Sequence, residues 1–235
     1  MTRTTALPKY IQISETLIRQ VAAGHLPDGS KLPPEREMAA ELGISVGTLR
    51  KSLADMQEKG LLERIQGSGN YVRAKPSDLS VYAFFRLEKP DGGGLPTAKV
   101  LSVDRICKPA DAPQFGQNAQ GHRIRRLRWL DDTLIALEEI WLDGSFVERI
   151  AEKDLSESLY HFYRHKLNLE ITSVEDRIGT ADLPDWFPGE FAPEPGEIVG
   201  YIERISRRSD GEPVEFSRTW FDAKEARYVS RMGKG

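Results

Sequence analysis

Arg126 and Arg128 are the residues whose spacing most directly indicates chemistry. They lie two positions apart in a run typical of a β-strand, so both side chains would project from one face of a sheet. Two guanidinium groups on one face can bind a single phosphate or carboxylate. Glu138 lies in the next strand-like run and can accept hydrogen bonds from ligand hydroxyls or an amine. The alternative is a salt-bridged sheet surface, on which the two arginines pair with Glu138 and Glu215.

The other reactive side chains give weak indications of catalysis or metal binding. His161 and His165 are spaced as metal ligands on a helix can be, but no third ligand can be named, and half-packed surface histidines explain them better. Cys107 has no base near it in the sequence, so we expect a buried small side chain. Glu138 and Glu215 would fit an acid–base pair, yet carboxylates that bind a ligand's polar groups need no turnover. We predict no catalytic residue, no metal and no cofactor.

A second group of residues has the chemistry of DNA binding. Ser45 is a natural N-cap for a helix. The buried face of that helix would consist of Leu49, Leu53 and Met56. Candidate DNA contacts off this face are Ser45, Gly47, Thr48, Arg50 and Lys51. In a major groove Arg50 can bind guanine through two hydrogen bonds, while hydroxyls near a helix N-terminus suit phosphate oxygens. The alternative is that these charges are only solvated.

Length and composition restrict the class of protein. The chain has 235 residues, 39% hydrophobic and 29% charged, which is ordinary for one or two globular domains. A single cysteine excludes a disulfide-stapled secreted scaffold. The first residues contain no apolar signal region, and no run is long and apolar enough for a membrane helix. We therefore expect a cytoplasmic protein.

Charge divides the chain into two parts. Residues 1–75 carry 11 Lys and Arg against 8 Asp and Glu, whereas the remainder carries 22 against 28. A basic segment joined to an acidic body suggests that the first module meets a polyanion.

The first part has the pattern of a winged helix-turn-helix. One helix begins at Pro8, a second begins within Leu32–Glu37 and ends at Gly43, and the third runs from Ser45 to Gly60. Two short strand runs, Leu61–Gln66 and Tyr71–Arg73, then flank a Gly-rich turn.

Strand-like runs dominate the second part. They are Lys99–Lys108, His122–Leu130, Thr133–Leu142, Leu169–Ala181, Ile198–Ser209 and Pro213–Phe221. Helices are expected near Val147–Glu152 and Ser156–Leu167. Separate groups of strands and helices indicate an α+β domain on a mostly antiparallel sheet. Several prolines in residues 182–196 argue against a regular helix there.

The first 75 residues resemble the DNA-binding domain of the GntR family of bacterial transcription regulators. The resemblance lies in the ordered blocks Pro8–Tyr10, Leu32–Glu37, Leu42–Ser45, Thr48–Arg50, Gly60–Glu63 and Gln66–Gly69. It implies that Arg36 contacts DNA. The wing tip of Gly67, Ser68 and Gly69 carries no bulky side chain, so its backbone can approach a minor groove. Val46 stands where arginine is common in the family, so the operator sequence does not follow from the resemblance.

The remaining chain resembles the UTRA effector domain of the HutC-type subfamily, whose fold is similar to chorismate lyase. The matching blocks are Arg126–Arg128, Ala136–Glu138, Ser158–Tyr160 and Gly211–Glu215. The resemblance implies an effector cavity lined by Arg126, Arg128, Glu138, Ser158, Tyr160 and Glu215. Phe221 stands where tyrosine is frequent, which implies one missing hydroxyl contact. A remodelled 182–196 stretch near that cavity would alter ligand choice.

These observations predict an α+β protein with a winged helix-turn-helix domain (residues 1–75), a linker (76–84) and a UTRA-like effector-binding and dimerisation domain (85–235). Its partners would be a palindromic double-stranded DNA operator, a second copy of the chain, and a small polar or anionic metabolite such as a phosphorylated sugar or organic acid. We expect a repressor released by that metabolite. An activator of the same architecture, an enzyme with the chorismate-lyase-like fold and an architectural DNA-binding protein remain alternatives.

Overall fold

The computed structural model describes residues 7–73, 82, 84–191, 193 and 196–231. The chain divides into two compact units, one spanning Leu7–Leu95 and the other beginning at Pro96. The predicted linker, residues 76–84, lies almost entirely outside the described residues. Within the described part, no helix has both the length and the apolar character needed to span a membrane.

The first unit is a winged helix-turn-helix. Its helices are α1 (Lys9–Ala22), α2 (Glu35–Glu41) and α3 (Val46–Glu58), followed by the hairpin strands β1 (Leu62–Ile65) and β2 (Gly69–Val72) and the short strand β3 (Leu87–Glu88). The predicted N-cap is confirmed, because the Ser45 side chain accepts a hydrogen bond from the Thr48 amide. The chain turns after α3 at Gly60, whose φ of 72° favours glycine. Leu17, Leu49 and Met56 pack in the core as the helical spacing predicts.

In the residues that the structure describes, the second unit is a six-stranded antiparallel sheet with one α-helix. Its strands are β4 (Pro96–Cys107), β5 (Gln120–Leu130), β6 (Thr133–Asp143), β7 (Ser173–Ala181), β8 (Val199–Arg207) and β9 (Pro213–Phe221), in the spatial order β4-β5-β6-β9-β8-β7. The other elements are a 3₁₀ turn (Glu152–Asp154), helix α4 (Leu159–Lys166) and the short strand β10 (Arg227–Tyr228). The predicted α+β class is therefore confirmed.

Alternation along β5 separates the two faces of this sheet. Arg126 and Arg128 lie on the face that also carries Glu138, whereas Leu127 lies on the opposite face. The segment 182–191 is not helical, and Trp186 and Phe187 pack with Leu127. This Pro-rich segment therefore covers the face opposite the two arginines, so it does not lie beside the predicted cavity as expected.

Two local predictions are wrong. Val147–Glu152 forms no α-helix, because the Val147 carbonyl accepts a hydrogen bond from Arg105 at 3.1 Å and lies 2.8 Å from His122 Nε2. Cys107 is exposed rather than buried, since it is the last residue of the edge strand β4.

Candidate DNA-binding and effector sites

The structure places all nine predicted DNA-binding residues on accessible surface of the first unit. Arg36 lies in α2, and the exposed residues of α3 include Gly47, Arg50 and Lys51. The Ser45 and Thr48 hydroxyls lie 2.9 Å apart at the start of α3. Gly67 and Ser68 lie in the turn of the hairpin and Gly69 begins β2, with φ angles of 75° at Gly67 and 133° at Gly69. Val46 packs against the hydrophobic core, so its side chain supports the fold rather than the DNA surface.

Glu35 connects α3, the recognition helix, to the wing formed by β1 and β2, and no pattern in the sequence indicates this role. Its carboxylate accepts a hydrogen bond from Arg50 Nε at 2.7 Å and another from Arg64 in β1. The hydrogen bond from Arg50 is the main cause that lowers the pKa of Glu35. Because the Arg50 side chain is 64% exposed, its guanidinium is oriented by Glu35 while still open to a base edge. Glu35 and Arg50 are 15 residues apart, so no local pattern reveals the pair.

The wing and the loop before α2 enclose a groove of about 750 Å³. Its polar lining includes Lys31, Arg64, Gln66 and Asn70. Two cations beside a glycine-rich turn suit the sugar–phosphate backbone of DNA.

The predicted effector arginines form one buried cluster with Glu138. Arg126 Nε donates to the Glu138 carboxylate, and Arg128 contacts both of its oxygens at 3.1 and 3.3 Å. The three side chains are at least nine-tenths buried. The alternative reading, a salt-bridged sheet surface, is correct about the pairing of the arginines with Glu138. It is wrong about the location, because the cluster lies in the protein interior.

Two guanidinium groups share one carboxylate in this cluster. Burial raises the pKa of Glu138, but the charges of Arg126 and Arg128 outweigh that effect and hold the pKa below its ordinary value. Glu138 is therefore ionised, and the three side chains carry one surplus positive charge. Arg126 Nη1 is buried and has no hydrogen-bond partner in the described part of the chain. A buried donor without an acceptor is costly, and an anion would satisfy both the donor and the charge.

Glu215 is the centre of a second buried group. Its carboxylate accepts hydrogen bonds from Tyr163 at 2.6 Å, Ser206 at 2.8 Å and Tyr160 at 3.1 Å. Burial raises the pKa of Glu215 and outweighs the hydrogen bonds that favour the ionised form. Burial and the nearby Glu215 also raise the pKa of Tyr160 above its ordinary value. Tyr163 and Ser206 are therefore functional candidates that the sequence patterns did not indicate. Ser206 lies directly opposite Glu215 in the sheet, so the predicted pairing of these two strands is the feature that could have indicated it.

Helix α4 joins the two buried groups. Burial and the Glu215 carboxylate raise the pKa of Tyr163, and the Arg126 guanidinium acts in the opposite direction. Ser158 caps α4 by accepting from the His161 amide at 3.3 Å. The preceding residue, Glu157, accepts from Arg128 through its carbonyl at 3.1 Å. The start of α4 is thus joined to the arginine cluster, and α4 also carries Tyr160 and Tyr163.

Phe221 occupies the end of the same sheet face. Phe221 and Arg128 both lie opposite Ala136, on either side of the central strand β6. The Phe221 ring also covers Gly200, where a Cβ atom would come within 2.2 Å of the ring. Glycine at position 200 is therefore required for this packing.

The two histidines considered as metal ligands lie together on one helix. The rings of His161 and His165 lie 4.2 Å apart on α4. Across the described ranges, however, no three His, Cys, Asp or Glu side chains come together in a way that would hold a metal ion.

Comparison with known proteins matches each of the two units to a known domain family. The profile described as bacterial regulatory proteins, gntR family, matches residues 9–72, and the UTRA domain profile matches residues 91–227. HTH-type transcriptional regulator SmoD of Agrobacterium fabrum (strain C58) is 59% identical over 97% of each chain.

More distant relatives match this chain along most of their length. The mannosyl-D-glycerate transport/metabolism system repressor MngR of Escherichia coli K12 is 26% identical, over 94% of this chain and 96% of MngR. The crystal structure of YydK from Bacillus subtilis superposes with a TM-score of 0.56 at 23% identity, covering 97% of this chain and all of YydK, which supports the fold. The chain therefore belongs to the GntR family of bacterial regulatory proteins, as a HutC-type transcription regulator with a DNA-binding domain and a ligand-binding UTRA domain.

Proposed function

We propose that this regulator is a repressor that binds a palindromic operator as a homodimer and leaves it when a small anionic metabolite binds the UTRA domain. The observation that carries the proposal is the buried cluster of Arg126, Arg128 and Glu138, with its surplus positive charge and its unpaired Arg126 Nη1. A phosphorylated sugar or an organic acid supplies both the charge and the acceptor. Tyr160 and Glu215 can bind the hydroxyl groups of such a compound.

The surface of the first unit supports the DNA part of the proposal. The recognition helix presents Arg50 and Lys51 to solvent, and the wing presents a glycine turn beside Lys31 and Arg64. A few cations on one domain bind DNA weakly at physiological salt, so two domains on two half-sites are expected. The E. coli relative MngR is named a repressor, and we extend that direction of control to this chain.

Arg19 supplies a route by which the effector would act on DNA binding. Its guanidinium, on α1, donates to the carbonyls of Leu87 and Gly94 at 2.6 Å each and stacks 5.2 Å from the Phe85 ring. Residues 85–94 are therefore held against α1 within the first unit.

We call the contact between Arg19 and residues 85–94 the clamp. The chain continues from the clamp into the effector domain. Strand β4 begins at Pro96, and its Ala98 and Val100 lie opposite Arg128 and Arg126 in the sheet. Only three residues separate Gly94 from Ala98. An anion that moves the arginines therefore moves β4, and the clamp transmits that movement to α1. A ligand shifts the population of conformations by its difference in affinity for them.

A thermal-shift screen tests the ligand class. Phosphorylated sugars and organic acids are each compared with a neutral analogue, in the wild type and in Arg126→Met. A ligand at about 100 times its dissociation constant stabilises the folded state by ~2.7 kcal/mol. That corresponds to a shift of roughly 5–10 °C in a domain of this size.

The matched control is Arg125→Met, one residue away on the opposite face, where Arg125 pairs with Glu139 at 2.8 Å. The proposal expects a shift from an anionic compound that is lost in Arg126→Met and kept in Arg125→Met. A shift from neutral compounds alone would show that the arginine cluster is structural.

A further inference from the structure

A carboxylate lies in the groove beside the wing, on a surface where DNA phosphates would repel it. Glu35 is the first residue of α2, and it lines this groove together with Lys31, Arg64 and the glycine turn of the wing. A surface that meets a polyanion gains affinity from its cations, and an acidic side chain on that surface lowers the affinity. Glu35 therefore has a role other than binding the DNA backbone.

Each oxygen of the Glu35 carboxylate binds an arginine from a different element. Oε2 accepts a hydrogen bond from Arg50 Nε of α3 at 2.7 Å, and Oε1 accepts one from Arg64 Nη2 of β1. The Glu35 side chain is 17% exposed, whereas the side chains of Arg50 and Arg64 are 64% and 54% exposed. A sheltered carboxylate thus holds two exposed guanidinium groups, one on the recognition helix and one on the wing.

The bond to Arg50 restricts its side chain without occupying the groups that read a base. The bond engages Nε, so the two terminal nitrogens of Arg50 remain for O6 and N7 of a guanine. An arginine loses rotamer freedom when it binds, and a side chain that is already oriented loses less. This gain applies to a base at one defined position, so it favours one sequence over others.

The bond to Arg64 acts on binding to DNA of any sequence. The hydrogen bond from Arg50 and the charges of both arginines outweigh burial and lower the pKa of Glu35, so the carboxylate is ionised at neutral pH. Two guanidinium groups and one carboxylate carry a single net positive charge. Arg64 therefore attracts phosphates less than a solvated arginine does, and sequence-independent affinity falls.

We propose that Glu35 is a specificity-determining residue of the DNA-binding domain, which orients Arg50 toward one base pair and weakens sequence-independent binding by pairing with Arg64. Glu35 acts through the two arginines, so it is a positioning residue. The proposal rests on the proposed function, because it requires an operator of defined sequence.

Glu35→Gln and Glu37→Gln separate this role from a general change of charge. Both glutamates lie in the first turn of α2, and Glu37 is exposed. Fluorescence anisotropy at several salt concentrations compares a duplex selected by the wild type from random sequences with an unselected duplex of the same length. Glu35→Gln should bind the unselected duplex more tightly, with a salt dependence steeper by about one counterion per domain. The ratio of the two affinities should fall by roughly two- to tenfold.

The control defines how these measurements are interpreted. Glu37→Gln removes the same charge but should keep the wild-type ratio of affinities. An unchanged ratio in Glu35→Gln, or an equal loss in Glu37→Gln, would overturn the proposal while leaving the regulator's operator binding intact. A wild type that selects no sequence would instead contradict the operator of the proposed function.

A double-variant cycle tests whether Glu35 acts through Arg50. Glu35→Gln should reduce the preference for one base pair in the wild-type background and cause no further loss in the Arg50→Ala background. A loss of the same size in both backgrounds would show that Glu35 does not act through Arg50, and would overturn its assignment as the residue that orients Arg50.

Discussion

Glu138→Gln should destabilise the UTRA domain strongly. The substitution keeps the shape of the side chain but leaves the guanidinium groups of Arg126 and Arg128 buried without their shared carboxylate. Both side chains are more than nine-tenths buried, so solvent screens them little. Removing one partner of a buried ion pair typically costs about 3–5 kcal/mol. We expect a loss of this size in the free energy of unfolding at pH 7, measured by urea denaturation.

The pH dependence of the free energy of unfolding provides a second test of the interaction between Glu138 and the two arginines. The pKa of Glu138 is lowered in the folded protein, so its contribution is fully present above the pKa of an unfolded glutamate, about 4.3. The contribution disappears as the pH falls from that value through the folded pKa. The difference in stability between the wild type and Glu138→Gln should therefore be largest near neutral pH and shrink in acid.

Glu190→Gln is the control for Glu138→Gln, because Glu190 is half exposed and pairs with Lys99 at 3.2 Å. Such surface changes usually stay within about 0.5 kcal/mol. If Glu138→Gln cost less than about 1 kcal/mol, as an exposed pair does, the reasoning from a buried surplus charge would be wrong.

Three further substitutions test other parts of the account. Arg50→Ala should cost about 1–3 kcal/mol per half-site and relax the preference for one base pair, measured by fluorescence anisotropy on DNA selected from random duplexes; an unchanged preference would remove Arg50 from base recognition. Arg19→Met should keep both DNA affinity and the effector's thermal shift but reduce effector-dependent release of DNA, whereas undiminished release would refute the clamp. Gly200→Ala should destabilise the protein by roughly 1–3 kcal/mol through overpacking against Phe221, and Phe221→Leu in the same chain should recover part of that loss.

Local signals in the sequence predict most of the fold. The N-cap at Ser45 and the glycine at position 60 set the ends of the recognition helix, because both act through the backbone within a few residues. The alternation of β5 correctly places Arg126 and Arg128 on one face. The Val147–Glu152 helix fails because side chains distant in sequence take its carbonyl groups.

The site is less accessible to sequence reasoning, because its contacts span long separations. The period of β5 gives the face of Arg126 but not its burial, which arises only in the folded domain. Arg50 meets Glu35 across 15 residues and Arg19 meets Gly94 across 75. No periodicity relates such pairs, and only the folded chain reveals them.

Release of DNA by an anion is the most direct test of whether this regulator is an anion-responsive repressor. Fluorescence anisotropy at fixed salt would compare binding of the selected DNA with and without the anionic compound that stabilises the protein, in the wild type and in Arg126→Met. We predict that the compound weakens DNA binding by the wild type and leaves Arg126→Met unaffected. Unchanged or tighter DNA binding by the ligand-bound wild type would contradict the account of a repressor released by an anion.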